Sequence, residues 1–92
     1  MNVNNILFDS HFERVFYKYK DKLSRKQKEN LKNKLLIFKN DIFDDSLKTH
    51  KLSWRLKDYY SFRITYKDRI KFKLLQNWDV YFFDIWDHDD IY

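Results

Sequence analysis

The side chains of this sequence that are best suited to chemistry are His50, His88, Arg63 and Arg69. An unperturbed histidine titrates near neutral pH, so a pair of histidines can act as general base and general acid. Arginine keeps its positive charge and can stabilise the negative charge that develops on phosphate oxygens. These residue types could cleave RNA, because the ribose 2′-hydroxyl is then the nucleophile and no protein nucleophile is needed. Each of the four could also be an ordinary solvent-exposed residue.

The absence of glycine, proline and cysteine excludes several other kinds of site. Walker loops, Rossmann loops and the nucleophile elbow of α/β-hydrolases all need glycine at positions where a Cβ would interfere. Without cysteine there are no disulfides, thiolate zinc sites, iron–sulfur clusters or cysteine nucleophiles. Asp87, Asp89 and Asp90 surround His88 and could suggest a metal site, but alternating acids of this kind are usually solvated. The sequence therefore predicts no cofactor and no metal.

Length and charge predict a single basic domain. Residues 1–92 are too few for two ordinary domains. The net charge of +5 favours a polyanionic partner, which could be nucleic acid, an acidic protein or an anionic membrane surface. No apolar segment approaches the ~18 residues that a membrane span needs, and the first residues lack the pattern of a signal peptide. We expect a soluble cytoplasmic protein.

Two helices are predicted from capping patterns and apolar spacing. Ser10 and Glu13 have the spacing of a capping box, and Ser24 and Gln27 repeat it. Apolar residues then recur at three- and four-residue steps, which place them on one helical face. They are Phe12, Val15, Phe16, Tyr19 and Leu23 in the first helix, and Leu31, Leu35, Phe38 and Ile42 in the second. The pattern predicts a helical hairpin with a very short turn.

The second half of the chain has the period of β-strands. Residues 59–66 and 69–74 alternate between apolar and polar side chains, with a hairpin turn expected at residues 66–68. Residues 80–86 are apolar on both faces and predict a central strand, and residues 3–8 predict a short first strand. The predicted fold class is α+β, with the first strand and the helical hairpin packed on one face of an antiparallel meander sheet. The uncovered face would carry Arg63, Arg69, Lys71 and Lys73.

Four short segments resemble motifs of the RelE/ParE superfamily of bacterial toxins, close to its RelE and YafQ branch. In chain order they are residues 47–52 (LKTHKL), 60–64 (YSFRI), 68–70 (DRI) and 84–92 (DIWDHDDIY). The resemblance covers nearly the whole chain and depends on the shared order and spacing of all four segments. It implies a RelE-like, microbial-RNase-like fold. For the RelE branch it also implies a type II toxin that cleaves mRNA on the ribosome and is silenced by an antitoxin.

The resemblance also assigns roles to individual residues. His88 matches the terminal catalytic basic residue, Tyr92 matches the aromatic residue that follows it, and His50 matches a histidine with an acid–base role. Arg69 matches an arginine that contacts the scissile phosphate. Asp68 resembles an acidic residue implicated in catalysis in the YafQ branch, although a hairpin turn explains an aspartate there equally well. The further candidates for binding RNA phosphates are Arg63, Lys51, Lys71 and Lys73.

Trp86 departs from the family pattern, which typically has glycine two residues before the catalytic basic residue. Two other functions stay open. A ParE-like toxin would inhibit DNA gyrase and would need no histidines in its cleft, whereas an inactive relative would keep only a surface for RNA or an antitoxin. The expected partners are an acidic, partly disordered antitoxin, held in a hetero-oligomer, and mRNA in the ribosomal A site.

Overall fold

In the computed structural model, residues 2–86 are described, and they form two α-helices and a five-stranded sheet. The elements are β1 (Ile6–Phe8), α1 (Ser10–Asp21), α2 (Arg25–Asn40), β2 (His50–Lys51), β3 (Tyr59–Arg63), β4 (Arg69–Leu74) and β5 (Val80–Trp86). The predicted α+β fold is confirmed. Within residues 2–86, neither helix is long and apolar enough to cross a lipid bilayer.

The strands follow the order β1-β5-β4-β3-β2 across the sheet. Strands β3, β4 and β5 form the predicted antiparallel meander, and β5 lies inside the sheet as expected, because β1 pairs with it in parallel. The sequence pattern predicted no strand around His50, but the structure has one there. His50 and Lys51 form a two-residue edge strand that pairs with Ser61 and Tyr60. Two residues are too few to show a period, so this strand exists only through its pairing with β3.

The helical hairpin is confirmed, with one correction at its start. The predicted cap at Ser10 was wrong, because Ser10 is the first helical residue and the Asp9 carboxylate accepts the hydrogen bond from the Phe12 amide at 2.9 Å. The second cap is as predicted: the Ser24 hydroxyl accepts from the Gln27 amide at 3.1 Å, and the Gln27 side chain accepts from the Ser24 amide at 2.8 Å.

Phenylalanine rings join the helices to the sheet. Phe38 of α2 is fully buried, and its ring stacks on Phe62 of β3 with a centroid distance of 4.2 Å. Its edge contacts with Phe72 and Phe82 have centroid distances of 5.1 and 5.4 Å. Since one ring from α2 thus contacts three adjacent strands, the helices cover this face of the sheet, and neither helix of residues 2–86 covers the other face.

The turn between β3 and β4 is longer than the alternating pattern predicted. Strand β3 ends at Arg63, and the Tyr66 side chain is exposed, although the pattern extended the strand to this residue. Ile64 remains buried beyond the end of the strand, which explains why the alternation continued. The Asp68 carbonyl accepts from the Ile64 amide at 3.0 Å, and this bond closes the turn.

Candidate active site

The sheet face opposite the helices, called the open face from here on, brings together most of the predicted site residues. Directly opposite residues of an antiparallel pair project to the same side. Arg63 lies opposite Arg69, and Ser61 lies opposite both His50 and Lys71. The neighbouring pairs in the same strands, such as Phe62 with Ile70, are buried beneath the helices. The side chains that share the open face are His50, Tyr59, Ser61, Arg63, Arg69, Lys71, Lys73, Tyr81, Asp84 and Trp86.

Arg69 is held in position by three hydrogen bonds. Its Nε donates to the Ser61 hydroxyl at 2.8 Å, and its Nη2 donates to the Ser61 carbonyl at 3.1 Å. The same Nη2 also donates to the Lys48 carbonyl. Lys48 has the left-handed backbone conformation, with φ 48°, and lies two residues before His50. These bonds hold the Arg69 guanidinium in place, and the bond to Lys48 also holds the segment that leads to His50.

Arg63 and Arg69 form a pair of neighbouring cations. Burial lowers the pKa of the Arg69 guanidinium from its ordinary value, and the charge of Arg63 lowers it further. Arginine still remains protonated at neutral pH. Among the described residues, Arg63 Nε is buried and has no hydrogen-bond acceptor. Because buried donors are normally satisfied, this pair is suited to an anion such as a phosphate, whose oxygens accept several charge-assisted hydrogen bonds.

His50 lies at one edge of a row of polar side chains that crosses four strands. The row continues from His50 through Ser61 and Lys71 to Asp84. Strand spacing places the ends of this row ~14 Å apart. The His50 side chain is exposed and lies on the same face as the arginine pair.

Aromatic rings flank the cations on the open face. The ring of Tyr59 meets that of Phe83 edge to face, with a centroid distance of 5.6 Å, and Lys73 Nζ lies 5.3 Å from the Tyr59 centroid. At the other end of the face, Trp86 lies opposite Arg69. Rings next to cations are typical of surfaces that bind single-stranded nucleic acid. In the described part of the chain, no group of three or more histidine, aspartate or glutamate side chains is placed to hold a metal ion.

Solved structures of bacterial and archaeal toxins resemble this chain over almost its whole length. The YafQ toxin complex with DinJ from E. coli has a TM-score of 0.69 at 16% identity and covers 100% of this chain and 99% of that chain. The YoeB dimer from Staphylococcus aureus has a TM-score of 0.67 at 22% identity, and the match covers 96% of this chain and 99% of the YoeB chain. The RelB–RelE complex from Methanococcus jannaschii has a TM-score of 0.65 at 16% identity, and the match covers 94% of this chain and 94% of the matched chain.

The chain has the RelE-like toxin fold. The resemblance seen in the four sequence segments is therefore confirmed at the level of the fold. No protein-family model and no curated protein matches the sequence itself. The roles of single residues consequently depend on where this chain places them on the RelE-like fold.

Two predicted site residues lie away from the open face. Asp68 is only 4% exposed, and its Oδ2 accepts a hydrogen bond of 2.7 Å from the Tyr19 hydroxyl of α1, on the helix side of the sheet. Lys51 lies opposite Tyr60, whose ring stacks on the buried Phe72. Lys51 thus projects to the opposite side from His50. The catalytic role of Asp68 and the phosphate-binding role of Lys51 stay predictions, but neither residue joins the group around Arg69.

His88 and Tyr92 lie outside the described residues, so their predicted roles stay predictions. The structure adds two residues that the sequence did not single out. Ser61 fixes Arg69 through both its hydroxyl and its carbonyl, and Lys48 supplies a third acceptor. Alternation did place Ser61 on the same face as Arg63, but its contact with Arg69 depends on the register between β3 and β4. No local pattern reports that register.

Proposed function

We propose that this chain is a type II toxin that acts as an endoribonuclease on mRNA in the ribosomal A site. The observation that carries this proposal is the anchored Arg69 beside Arg63 on an open basic face that also presents His50. Toxins with the same fold, among them YafQ and RelE, have been solved in complexes with antitoxins. A cytoplasmic location follows from the proposed substrate.

The proposed reaction is cleavage by the ribose 2′-hydroxyl. One member of the pair His50 and His88 removes the 2′-hydroxyl proton, and the oxygen attacks the adjacent phosphorus. The bond to the 5′-oxygen breaks, and the other histidine protonates that leaving oxygen. The products are a 2′,3′-cyclic phosphate and a 5′-hydroxyl end. Arg63 and Arg69 stabilise the charge on the phosphoryl oxygens, and Tyr92 stacks on a base or orients it. This scheme requires no metal.

The test is cleavage of a defined mRNA on purified ribosomes, with the cut ends mapped by primer extension. We expect His50→Ala and His88→Ala each to slow cleavage by about 10²- to 10⁴-fold, the usual contribution of a general acid or base. His11→Ala is the matched control, since His11 is exposed on α1 and has no role in the proposed site. If His88→Ala cleaves as fast as the parent chain, the assignment of the site is wrong.

Inhibition of DNA gyrase is the second candidate function. A toxin from Agrobacterium tumefaciens that is described as YoeB/ParE has a TM-score of 0.68 with this chain at 14% identity. The fold alone therefore does not distinguish a YoeB-like toxin from a ParE-like one. His50 on the open face favours the ribonuclease, because gyrase inhibition needs no acid–base residue there. Loss of supercoiling by purified gyrase, with mRNA left intact on ribosomes, would reverse this preference.

The proposed partner is an acidic antitoxin that forms a hetero-oligomer with this chain. A groove of about 860 Å³ lies between α1 and α2. Its lining includes Phe16, Leu31 and Leu36 among its apolar residues, and Lys20, Lys28 and Lys32 among its charged residues. Such a groove suits an amphipathic helix with acidic flanks. Co-expression with a small acidic protein encoded by an adjoining gene should yield a stable complex. Harmless expression of this chain alone would contradict the proposal.

A further inference from the structure

We propose that Trp86 is a nucleobase-binding residue whose indole stacks on the base next to the phosphate held by Arg63 and Arg69. The inference rests on the proposed function, because it assumes that RNA binds to the open face. It deepens that function by assigning the base beside the reacting phosphate to a particular side chain.

The register of the sheet places the indole beside the arginine pair. Arg63 lies opposite Arg69 across β3 and β4, and Arg69 lies opposite Trp86 across β4 and β5. The three residues thus form one row on the open face. Two strand spacings separate the ends of this row by ~10 Å. A nucleotide whose phosphate contacts the arginines can therefore bring its own base, or the next one, onto the indole.

The exposure of Trp86 is unusual for its place in the sheet. The other residues of β5 are buried or half-buried, whereas the Trp86 side chain remains 43% exposed. The arginine beside it cannot cover it, because the Arg69 guanidinium is engaged by Ser61 and the Lys48 carbonyl. The indole is therefore a flat apolar surface that adjoins two cations. Single-stranded RNA is recognised by this combination, in which cations contact phosphates and unstacked bases lie on aromatic rings.

Exposure alone does not distinguish Trp86, and Trp54 shows why. Trp54 is 82% exposed, but it lies in the segment between β2 and β3 and its ring contacts the neighbouring guanidinium of Arg55 at 4.8 Å. It has no place in the row of cations on the open face. Trp54 is thus a matched control, since the same substitution removes an exposed indole from another part of the surface.

The test measures binding of a short single-stranded RNA that carries a 2′-O-methyl group at each nucleotide, so that the 2′-oxygen cannot attack and cleavage cannot occur. Fluorescence anisotropy gives the dissociation constant for the parent chain and for Trp86→Ala, Trp86→Phe and Trp54→Ala. Stacking of one base on an aromatic side chain corresponds to a roughly 5- to 150-fold change in affinity. We expect Trp86→Ala to weaken binding by this factor, Trp86→Phe to retain most of the affinity, and Trp54→Ala to change nothing.

A second arm removes the base instead of the indole. An abasic nucleotide is introduced at each position of the oligonucleotide in turn. At one position the abasic nucleotide should weaken binding to the parent chain about as much as Trp86→Ala weakens binding of the intact oligonucleotide. The same abasic nucleotide should weaken binding to Trp86→Ala only slightly, because the base and the indole form the same contact. Equal losses in the parent and Trp86→Ala at every position would overturn the inference. Since Trp86→Phe keeps a ring, this arm can be repeated on that variant if Trp86→Ala fails to fold.

The outcomes separate this inference from the proposed function. If the chain cleaves mRNA on ribosomes but Trp86→Ala binds the oligonucleotide as tightly as the parent chain, the inference alone is wrong. Binding that depends on Trp86 without any cleavage on ribosomes overturns the proposed ribonuclease alone. If Trp86→Ala weakens the complex with the antitoxin but not the complex with RNA, the indole belongs to a protein interface and the inference is wrong.

Discussion

The hydrogen bond between Tyr19 and Asp68 allows a structural role for Asp68 to be separated from a catalytic one. It joins α1 to the turn between β3 and β4, with 2.7 Å between the Tyr19 hydroxyl and Asp68 Oδ2. Both residues are buried. Tyr19→Phe removes one hydroxyl and leaves the ring in place, so apolar packing is unchanged. The buried carboxylate then loses a donor that water cannot easily replace.

The expected cost follows from the charge and burial of the pair. A hydrogen bond to a charged group contributes about 1.5 to 3 kcal/mol to stability. For a domain of this size, 1 kcal/mol shifts the melting temperature by about 4 to 8 °C, so Tyr19→Phe should lower it by roughly 6 to 24 °C. Asp68→Asn should be destabilising for the same reason. Tyr17→Phe is the matched control, because Tyr17 lies on the same helix and is 69% exposed.

The assay combines thermal unfolding with ribosomal cleavage, and cleavage is measured well below the melting temperature of each variant. If Asp68 acts through the fold, Tyr19→Phe and Asp68→Asn lose stability together and still cleave mRNA within a few-fold of the parent chain. A general acid or base would behave differently, since its removal slows cleavage by about 10²- to 10⁴-fold. An Asp68→Asn variant that keeps full stability and loses cleavage would refute the structural role and restore the catalytic one.

Three further predictions concern the core, the first helix and the open face. Phe38→Ala should lower the free energy of unfolding by about 3 to 5 kcal/mol, whereas Leu36→Ala, on the exposed side of the same helix, should have little effect in urea titrations. The Phe12 amide, and then the Tyr81 hydroxyl, hold the pKa of Asp9 below its ordinary value. The ionised form therefore stabilises the fold above the unfolded-state pKa, and the melting temperatures of the parent and Asp9→Ala should converge as pH falls below about 4; a constant gap would contradict this. Lys71→Ala should reduce the salt dependence of RNA binding by about one unit of slope, and Lys26→Ala, at an exposed position of α2, should leave it unchanged.

The parts of the fold that depend on local patterns were predictable from the sequence. Apolar steps of three and four residues mark α1 and α2, and alternation marks β4 over its full length. The predictions were wrong where a nonlocal contact determines the local structure. Asp9 and Ser10 are adjacent and both suit a helix cap, so the choice between them depends on how the chain leaves β1. The edge strand at His50 exists only because β3 offers it a partner.

The candidate site shows the same division. Alternation alone placed Arg63, Arg69 and Lys71 on one face, because side chains in a strand project in turn to opposite sides. The sequence could not indicate that Asp68 bonds to a residue 49 positions away. Nor could it indicate that Ser61 and Lys48 hold Arg69, since both contacts require the register between neighbouring strands. Residue type and period thus predict which side chains share a surface, and tertiary contacts decide which of them are fixed.

The lack of glycine links the composition of the chain to its candidate site. Left-handed backbone, where glycine is normally favoured, occurs here at Lys48, and a residue with a Cβ pays about 1 to 2 kcal/mol for it. The carbonyl of this strained residue is one that Arg69 binds, and His50 follows two positions later. One guanidinium therefore stabilises the costly turn, presents positive charge to the open face and fixes the approach to the histidine. In a chain with glycine at this turn, these tasks could be separated; here the conformation of the segment before His50 and the geometry of the phosphate-binding arginine depend on each other.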